Sequence, residues 1–165
     1  MRDGFDHKTG FVVDEMLWKL GRFLRIAGFD TVIPRPTTDN ELARISKEEN
    51  RILLTRDKDL SRRKDAHALR ISDDSLENQL REIVDRLDLS SINKKGSRCP
   101  VCGQQLEVRN KSDLDDSISS SIPSKVKSHH NEFYICTTCE RAYWRGKHWE
   151  GITRMLERVD LLPDI

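Results

Sequence analysis

Residues 11–33 read FVVDEMLWKLGRFLRIAGFDTVI, and this stretch decides the fold. It begins with the apolar run Phe11–Val13 and ends with a second apolar run, Thr31–Ile33. Between the two runs, apolar residues recur at helical spacing: Leu17, Leu20, Leu24 and Ala27. Gly28 follows them and predicts the end of the helix. A strand, a helix and a second strand in this order indicate a βαβ unit with parallel strands.

The alternation of strands and helices continues beyond this unit. Thr38-Asp-Asn-Glu41 has the form of a capping box and predicts a helix that runs from there to about Asn50. The other predicted elements are a strand over 51–54, a strand over 68–71 and a helix over 76–87 that Asp74 caps. We therefore expect an α/β fold, with a mostly parallel sheet flanked by helices on both faces.

The chain has four cysteines, which form two Cys-x-x-Cys pairs: Cys99 with Cys102, and Cys136 with Cys139. Two such turns brought together give a tetrahedral four-thiolate site that suits structural zinc, with iron as the alternative metal. Gly103 fits a turn that needs a positive φ angle. Two disulfides would instead require an oxidising compartment, and a redox pair would need a single Cys-x-x-Cys near a βαβ unit. The spacing favours zinc.

The zinc site predicts a small second domain. Residues 97–146 are expected to form a zinc ribbon of two short hairpins, with strands at 132–135 and 142–144 and an exposed loop over 112–123. A final helix carries an apolar line that we expect to dock the ribbon on the first domain: Trp149, Ile152, Leu156 and Val159. The predicted domains are 11–95 and 96–165.

Three aspartates lie where the strands of the predicted sheet end. Asp14 follows the first strand, Asp57 follows the third, and Asp39 lies in the first turn of the helix entered from the second. The carboxyl ends of parallel strands share one edge, and clustered carboxylates there suit Mg²⁺ or Mn²⁺, which can activate water for phosphodiester hydrolysis. The alternative is that Asp14 and Asp57 only form turns and that Asp39 only makes a favourable contact with the helix dipole. Glu41 is assigned to the capping box.

Composition limits the function classes. In 165 residues, 29 Lys and Arg balance 28 Asp and Glu, so the net charge of +1 argues against a strongly basic binder of duplex nucleic acid. No apolar stretch approaches the roughly 18 residues of a membrane span. Residues 1–10 lack the apolar segment of a signal peptide, so a soluble cytoplasmic protein is expected.

Taken together, the motifs resemble PIN-like nucleases, specifically the Mut-seven C-terminal RNase family, in which a PIN-like domain precedes a zinc ribbon. The matching segments are Val13–Leu17, Leu20–Gly28 with Asp30, Asp39–Leu42, Ile52–Asp57, both cysteine pairs and Tyr143–Trp149. The resemblance covers residues 11 to about 160. It implies a metal-dependent endoribonuclease that acts on single-stranded RNA, with Asp14, Asp39 and Asp57 as its catalytic acids. A fourth acid, common in larger PIN domains, would be Asp73 or Asp74.

Other residues are candidates for RNA contacts. A basic run beside Asp57 places cations near the acids: Arg56, Lys58, Arg62, Arg63 and Lys64. His148 is a candidate phosphate ligand or a cap of the final helix, and Trp18 is a candidate for base stacking or for packing against the ribbon. The basic run is equally compatible with a solvated helix face. The alternative function is a non-catalytic zinc-ribbon adaptor that binds RNA or protein.

Overall fold

The structure is a computed structural model that describes residues 10–89 and 96–163 of the chain. The predicted absence of a signal peptide and the predicted domain boundary after residue 95 depend on residues 1–9 and 90–95, which lie outside the described residues. Within the described part, two sheets are present, one with four strands and one with three. No helix in these ranges is both long enough and apolar enough to cross a membrane.

The first sheet is parallel throughout. Its strands are β1 (Phe11–Val13), β2 (Thr31–Val32), β3 (Ile52–Thr55) and β4 (Ala68–Arg70), in the spatial order β2-β1-β3-β4. All three neighbouring pairs are parallel, so the carboxyl ends of β1 and β3 lie side by side at one edge. The predicted α/β fold is confirmed.

Helices cover both faces of this sheet. Its helices are α1 (Trp18–Ile26), α2 (Asp39–Glu48) and α3 (Leu76–Leu87). Side chains alternate between the two faces along each strand. Phe11, Val13 and Leu54 therefore face the core formed with α1 and α3. Val12 and Leu53 face the opposite core formed with α2.

The helix caps differ in detail from the sequence prediction. The Thr38 hydroxyl accepts a hydrogen bond from the Glu41 N–H at 3.2 Å, as a capping box requires, but the Glu41 carboxylate binds Arg44 instead of completing the box. The predicted cap of α3 at Asp74 is wrong. Ser75 caps this helix by accepting from the Asn78 N–H, and the Asp74 carboxylate forms an ion pair with Arg56.

The second sheet is antiparallel and follows the cysteine-rich segment. Its strands are β5 (Glu107–Asn110), β6 (Glu132–Cys136) and β7 (Arg141–Tyr143), in the order β5-β6-β7. The strands predicted at 132–135 and 142–144 are present, the latter one residue earlier. β5 was not predicted, because its Glu-Val-Arg-Asn sequence lacks an apolar run, and three of its four residues are exposed.

The exposed loop predicted over 112–123 is wrong. This segment contains α4 (Asp116–Ser121), and a further short helix, α5 (Ser124–His129), follows it. Ile118 and Ile122 are buried against Phe133 of the second sheet. The serines and aspartates around them form the exposed side of an amphipathic segment, which explains the loop-like composition.

The final helix, α6 (Lys147–Arg158), packs into the core of the first domain, as expected. Leu156 and Val159 are buried in the same core as the residues of α1 and α3. Arg158 donates two hydrogen bonds to the Glu77 carboxylate of α3, at 3.1 and 2.7 Å. The helix therefore joins the cysteine-rich segment to the parallel sheet.

Candidate functional site

The four cysteines meet at one point, as the sequence predicts. Their Sγ atoms all lie within 4.8 Å of one another. The sulfurs of Cys102 and Cys136 are 3.5 Å apart. That separation is close to the roughly 3.8 Å edge of a tetrahedral zinc–thiolate site, and much longer than the roughly 2.05 Å of a disulfide. The donor set fits zinc, and the cluster could hold one such ion.

Local backbone geometry shapes the two cysteine turns. Gly103 has φ +84°, and its N–H donates to the Cys99 carbonyl at 2.8 Å. The positive φ predicted for this glycine is confirmed. In the second turn, the Cys139 N–H donates to the Cys136 sulfur at 3.4 Å. Glycine at the first turn and a backbone donor at the second orient the sulfurs toward a common centre.

The surroundings of the cysteines shift their thiol pKa values in opposite directions. Burial raises the pKa of Cys99, but hydrogen bonds from the Tyr143 hydroxyl and from nearby backbone N–H groups outweigh it and bring that pKa to about 7. The hydrogen bond with Cys102 and burial raise the pKa of Cys139 to about 12. Four thiols this close cannot all ionise at low cost without a cation among them. A bound divalent ion would remove that cost, because metal ligation favours thiolates.

A buried arginine ties the first cysteine turn to the parallel sheet. Arg25 of α1 is 5% exposed, and its guanidinium donates to the carbonyl of Thr31 at 2.8 Å. It also donates to the carbonyls of Pro100 and Val101, at 3.3 and 2.8 Å. The polar pattern of α1 does not predict this contact, which spans 76 residues of sequence. The cysteine turn is therefore held on the first sheet by hydrogen bonds to buried groups.

Replacing this arginine should destabilise the protein. In Arg25→Met three carbonyls lose their donor, so we expect a loss of about 3 kcal/mol of unfolding free energy, seen as a fall in Tm of about 5–10 °C. The matched control is Arg22→Met, an exposed position on the same helix, which should cost less than about 1 kcal/mol. Scanning calorimetry of the zinc-loaded proteins measures both, and equal Tm values would contradict the anchoring role.

A threonine connects two of the three predicted catalytic aspartates. The buried Thr55 ends β3, and its hydroxyl donates to Asp14 Oδ2 at 2.7 Å. The Thr55 hydroxyl oxygen in turn accepts a hydrogen bond from the backbone N–H of Asp57 at 3.0 Å. The sequence analysis missed Thr55, although its place at the end of β3, two residues before Asp57, was the available signal. Asp14 and Asp57 thus lie at adjacent strand ends, joined through one side chain.

The three carboxylates, called the acid edge here (Asp14, Asp39 and Asp57), are not gathered around one point. Within the described residues, only the cysteine cluster brings three or more Cys, His, Asp or Glu ligand atoms within 4.8 Å of one another. One Asp57 oxygen accepts the Leu60 N–H at 2.6 Å. Asp39 is exposed at the start of α2. Binding of one ion by all three would require at least one side chain to rotate, and the assignment stays a prediction.

A family comparison decides which group of proteins the chain resembles. The model of the Mut7-C RNAse domain family matches residues 9–156. The chain belongs to this family. Comparison with curated proteins and with solved structures found no match. The resemblance inferred from the motifs is thereby confirmed, and membership indicates a ribonuclease-like function.

The acids that the structure describes in this Mut7-C RNAse domain divide into those that form ion pairs and those that do not. Among the described residues, no ion pair involves Asp14, Asp39 or Asp57. Asp73 and Asp74, the candidates for a fourth acid, have local partners. Asp73 accepts from the Ser75 N–H and from Asn78, and Asp74 pairs with Arg56.

The basic run of the Mut7-C domain is only partly free to bind substrate. Arg56 is paired with Asp74, and Arg63 binds both Asp65 and Asn40. The hydrogen bond from Arg63 holds the pKa of Asp65 at about 2. Lys58, Arg62 and Lys64 have no ion-pair partner within the ranges that the structure describes. These three are therefore the more available cations near Asp57.

The two remaining candidates lie on helices. His148 is exposed at the second residue of α6 and lines a cavity beside that helix. Trp18, at the start of α1, is 38% exposed, with the guanidinium groups of Arg22 and Arg35 at 5.5 and 5.3 Å from its ring centroid. Both positions are accessible on the surface of the Mut7-C domain.

Proposed function

We propose that this protein is a metal-dependent endoribonuclease of the PIN-like type that hydrolyses phosphodiester bonds in single-stranded RNA. In this proposal Asp14, Asp39 and Asp57 hold Mg²⁺ or Mn²⁺. The four cysteines hold a structural zinc ion, because four protein ligands leave no open position for water. Family membership supports the nuclease activity, and the donor chemistry of the acid edge supports the metal.

One observation carries the proposal. Asp14 and Asp57 follow adjacent parallel strands, share the hydroxyl of Thr55, and have no cationic partner in the described part of the chain. Lack of an ion pair alone does not distinguish them, since Asp116 of α4 has none there either, but their place at adjacent strand ends does. Carboxylates that follow adjacent parallel strands and have no cation beside them are suited to bind one.

The neighbouring residues have separate roles in the proposed reaction. A bound Mg²⁺ or Mn²⁺ would supply an activated water and stabilise the charge that develops on the phosphate. Thr55 holds one oxygen of Asp14 in place, and the Leu60 N–H holds one oxygen of Asp57, which leaves the other oxygen of each carboxylate as a ligand. Lys58 and Arg62 would contact the RNA backbone and position it.

Metal binding separates this function from the adaptor alternative. Isothermal titration of the zinc-loaded protein with Mn²⁺ should show one or two binding events outside the cysteine cluster. In Asp57→Asn we expect the affinity to fall by at least about tenfold, since a ligand charge is lost. Asp116→Asn, which removes an exposed acid of α4, is the matched control and should bind Mn²⁺ as wild type does.

Cleavage completes the test. A panel of single- and double-stranded RNAs, incubated with and without Mn²⁺, should show cleavage of the single-stranded members only in the presence of the ion. Undiminished Mn²⁺ binding by Asp57→Asn would place the ion elsewhere. RNA binding without cleavage under any divalent ion would favour the adaptor.

A further inference from the structure

A concave site lies beside the cysteine cluster. It is a cavity of about 320 Å³ between α1, the first cysteine turn, β7 and the start of α6. This volume lies within the range of about 300–1,000 Å³ that is typical of small-ligand sites. No part of the acid edge lines it. The cavity is therefore a distinct feature of the molecule.

The lining combines positive charge with aromatic rings. Its cationic members include Arg22 and Lys147, and its aromatic members are Tyr143, Trp144 and Trp149. No Asp or Glu is among the described residues that line it. Although the whole chain has a net charge of only +1, this cavity has a one-sided positive lining. The ligand it suits is an anion that also carries a flat ring.

The aromatic groups are held in place by other contacts. Trp149 stacks on Tyr134, with ring centroids 6.1 Å apart and an interplanar angle of 16°. The Tyr143 hydroxyl lies 3.2 Å from the Cys99 sulfur. Rigid rings lose little conformational entropy on binding, so they form a ready stacking surface. The start of α6, where Lys147 and His148 lie, adds the partial positive charge of a helix N-terminus.

Helix α1 connects this cavity with the acid edge. Trp18, Arg22 and Ile26 are spaced four residues apart, so they form one row along the helix. Arg22 and Ile26 line the cavity, while Trp18 lies one turn of about 5.4 Å closer to Asp14. A nucleic-acid strand that leaves the cavity along this row would approach the acid edge.

We propose that the cavity, called the nucleotide cavity here (Arg22, Tyr143, Trp144, Lys147 and Trp149), binds one unpaired nucleotide of the RNA substrate. The base stacks against the aromatic wall, and the adjoining phosphate lies between Arg22 and Lys147. The proposal rests on the proposed ribonuclease function and assigns a substrate subsite outside the acid edge. A base in a duplex is already paired and stacked, so the cavity selects single strands.

The tryptophans provide a direct readout of occupancy. The chain has three, and in Trp18→Phe only Trp144 and Trp149 remain, both in the cavity wall. Zinc-loaded Trp18→Phe is titrated with an eight-residue oligouridylate in a buffer without Mg²⁺ or Mn²⁺, so that binding is measured without cleavage. We expect saturable quenching of the indole fluorescence. A duplex of the same length should not compete.

Two variants in the same background test the cavity by different means. Lys147→Gln should weaken binding about threefold to tenfold. It should also make the negative slope of log K against log salt less steep by about 0.7. In Gly146→Val the backbone can stay in place, because φ is −98°. The new Cβ would lie 3.2 Å from the Trp144 ring nitrogen, which is closer than an ordinary contact, so the side chain crowds the aromatic wall and displaces that ring. This variant should weaken binding about tenfold or more through lost stacking. Lys125→Gln, an exposed lysine of α5, is the matched control and should stay within about twofold.

The outcomes are distinguishable. The cavity is excluded as the subsite if Lys147→Gln and Gly146→Val, with normal zinc content and Tm, bind the oligonucleotide as the Trp18→Phe background does. In that case, cleavage of single-stranded RNA by the wild-type protein would still support the proposed ribonuclease function. Cavity-dependent binding without cleavage in Mn²⁺ would instead overturn the proposed ribonuclease and leave the RNA subsite intact.

Discussion

Cleavage of single-stranded RNA by the Asp14→Asn protein is expected to fall by at least about a hundredfold. The substitution removes one negative charge from the acid edge, and loss of a single group that stabilises charge in the transition state commonly costs that much. The Asn side chain retains an oxygen that can accept the hydrogen bond from Thr55, which is 2.7 Å from the Asp14 carboxylate. Initial rates in saturating Mn²⁺ measure the effect.

Stability should move in the opposite direction. Asp14 has no ion-pair partner among the described residues, so its neutralisation breaks no ion pair within them and relieves repulsion from the neighbouring acids. We therefore expect Asp14→Asn, without Mn²⁺, to melt at the wild-type temperature or above it. Asp116→Asn should retain both rate and Tm. Unchanged cleavage by Asp14→Asn would point to a different catalytic site or to a contaminating nuclease.

The parallel sheet could be predicted because its information is local. Each strand is a short apolar run that ends at a residue with turn or cap chemistry, and each crossover helix has its own apolar stripe. Right-handed crossovers then place the ends of β1 and β3 at one edge. This reasoning places Asp14 and Asp57 at the same edge, and the strand order β2-β1-β3-β4 of the structure makes their strand ends neighbours. The cysteine turns are equally local, since spacing and Gly103 define them.

What the sequence did not predict depends on contacts across long separations. Arg25 appears as one more cation on a helix, and only the fold brings the carbonyls of Pro100 and Val101 to it. The segment 112–123 was misassigned because its serines and aspartates outnumber its apolar residues. Leu114, Ile118 and Ile122 nevertheless recur every four residues, a helical period that the composition obscured. Short amphipathic elements depend on the surface that they cover.

Zinc content should fall sharply in Cys136→Ser. The Cys136 sulfur is one of four within 4.8 Å of one another, and a serine hydroxyl is a poor substitute for a thiolate ligand. Zinc binding contributes about 10–16 kcal/mol in small structural sites, and loss of one of the four ligands weakens it. We therefore expect the zinc content to fall from near one equivalent per chain to well below one. Thr137→Ser, an exposed change inside the same turn, is the matched control.

Loss of zinc in Cys136→Ser should affect hydrogen exchange differently in the two sheets. Cys136 is fully buried at the end of β6, so losing the metal there should expose the amides of β5–β7 to hydrogen exchange at least about a hundredfold faster. The amides of β1 and β3 should keep their protection, since their cores rest on α1, α2 and α3. Because α6 links the two parts, we expect an intermediate loss of exchange protection at the amide of Leu156, which is buried in the core of α1 and α3. Full zinc retention by Cys136→Ser, with unchanged exchange in β6, would show that the thiols do not bind a structural metal.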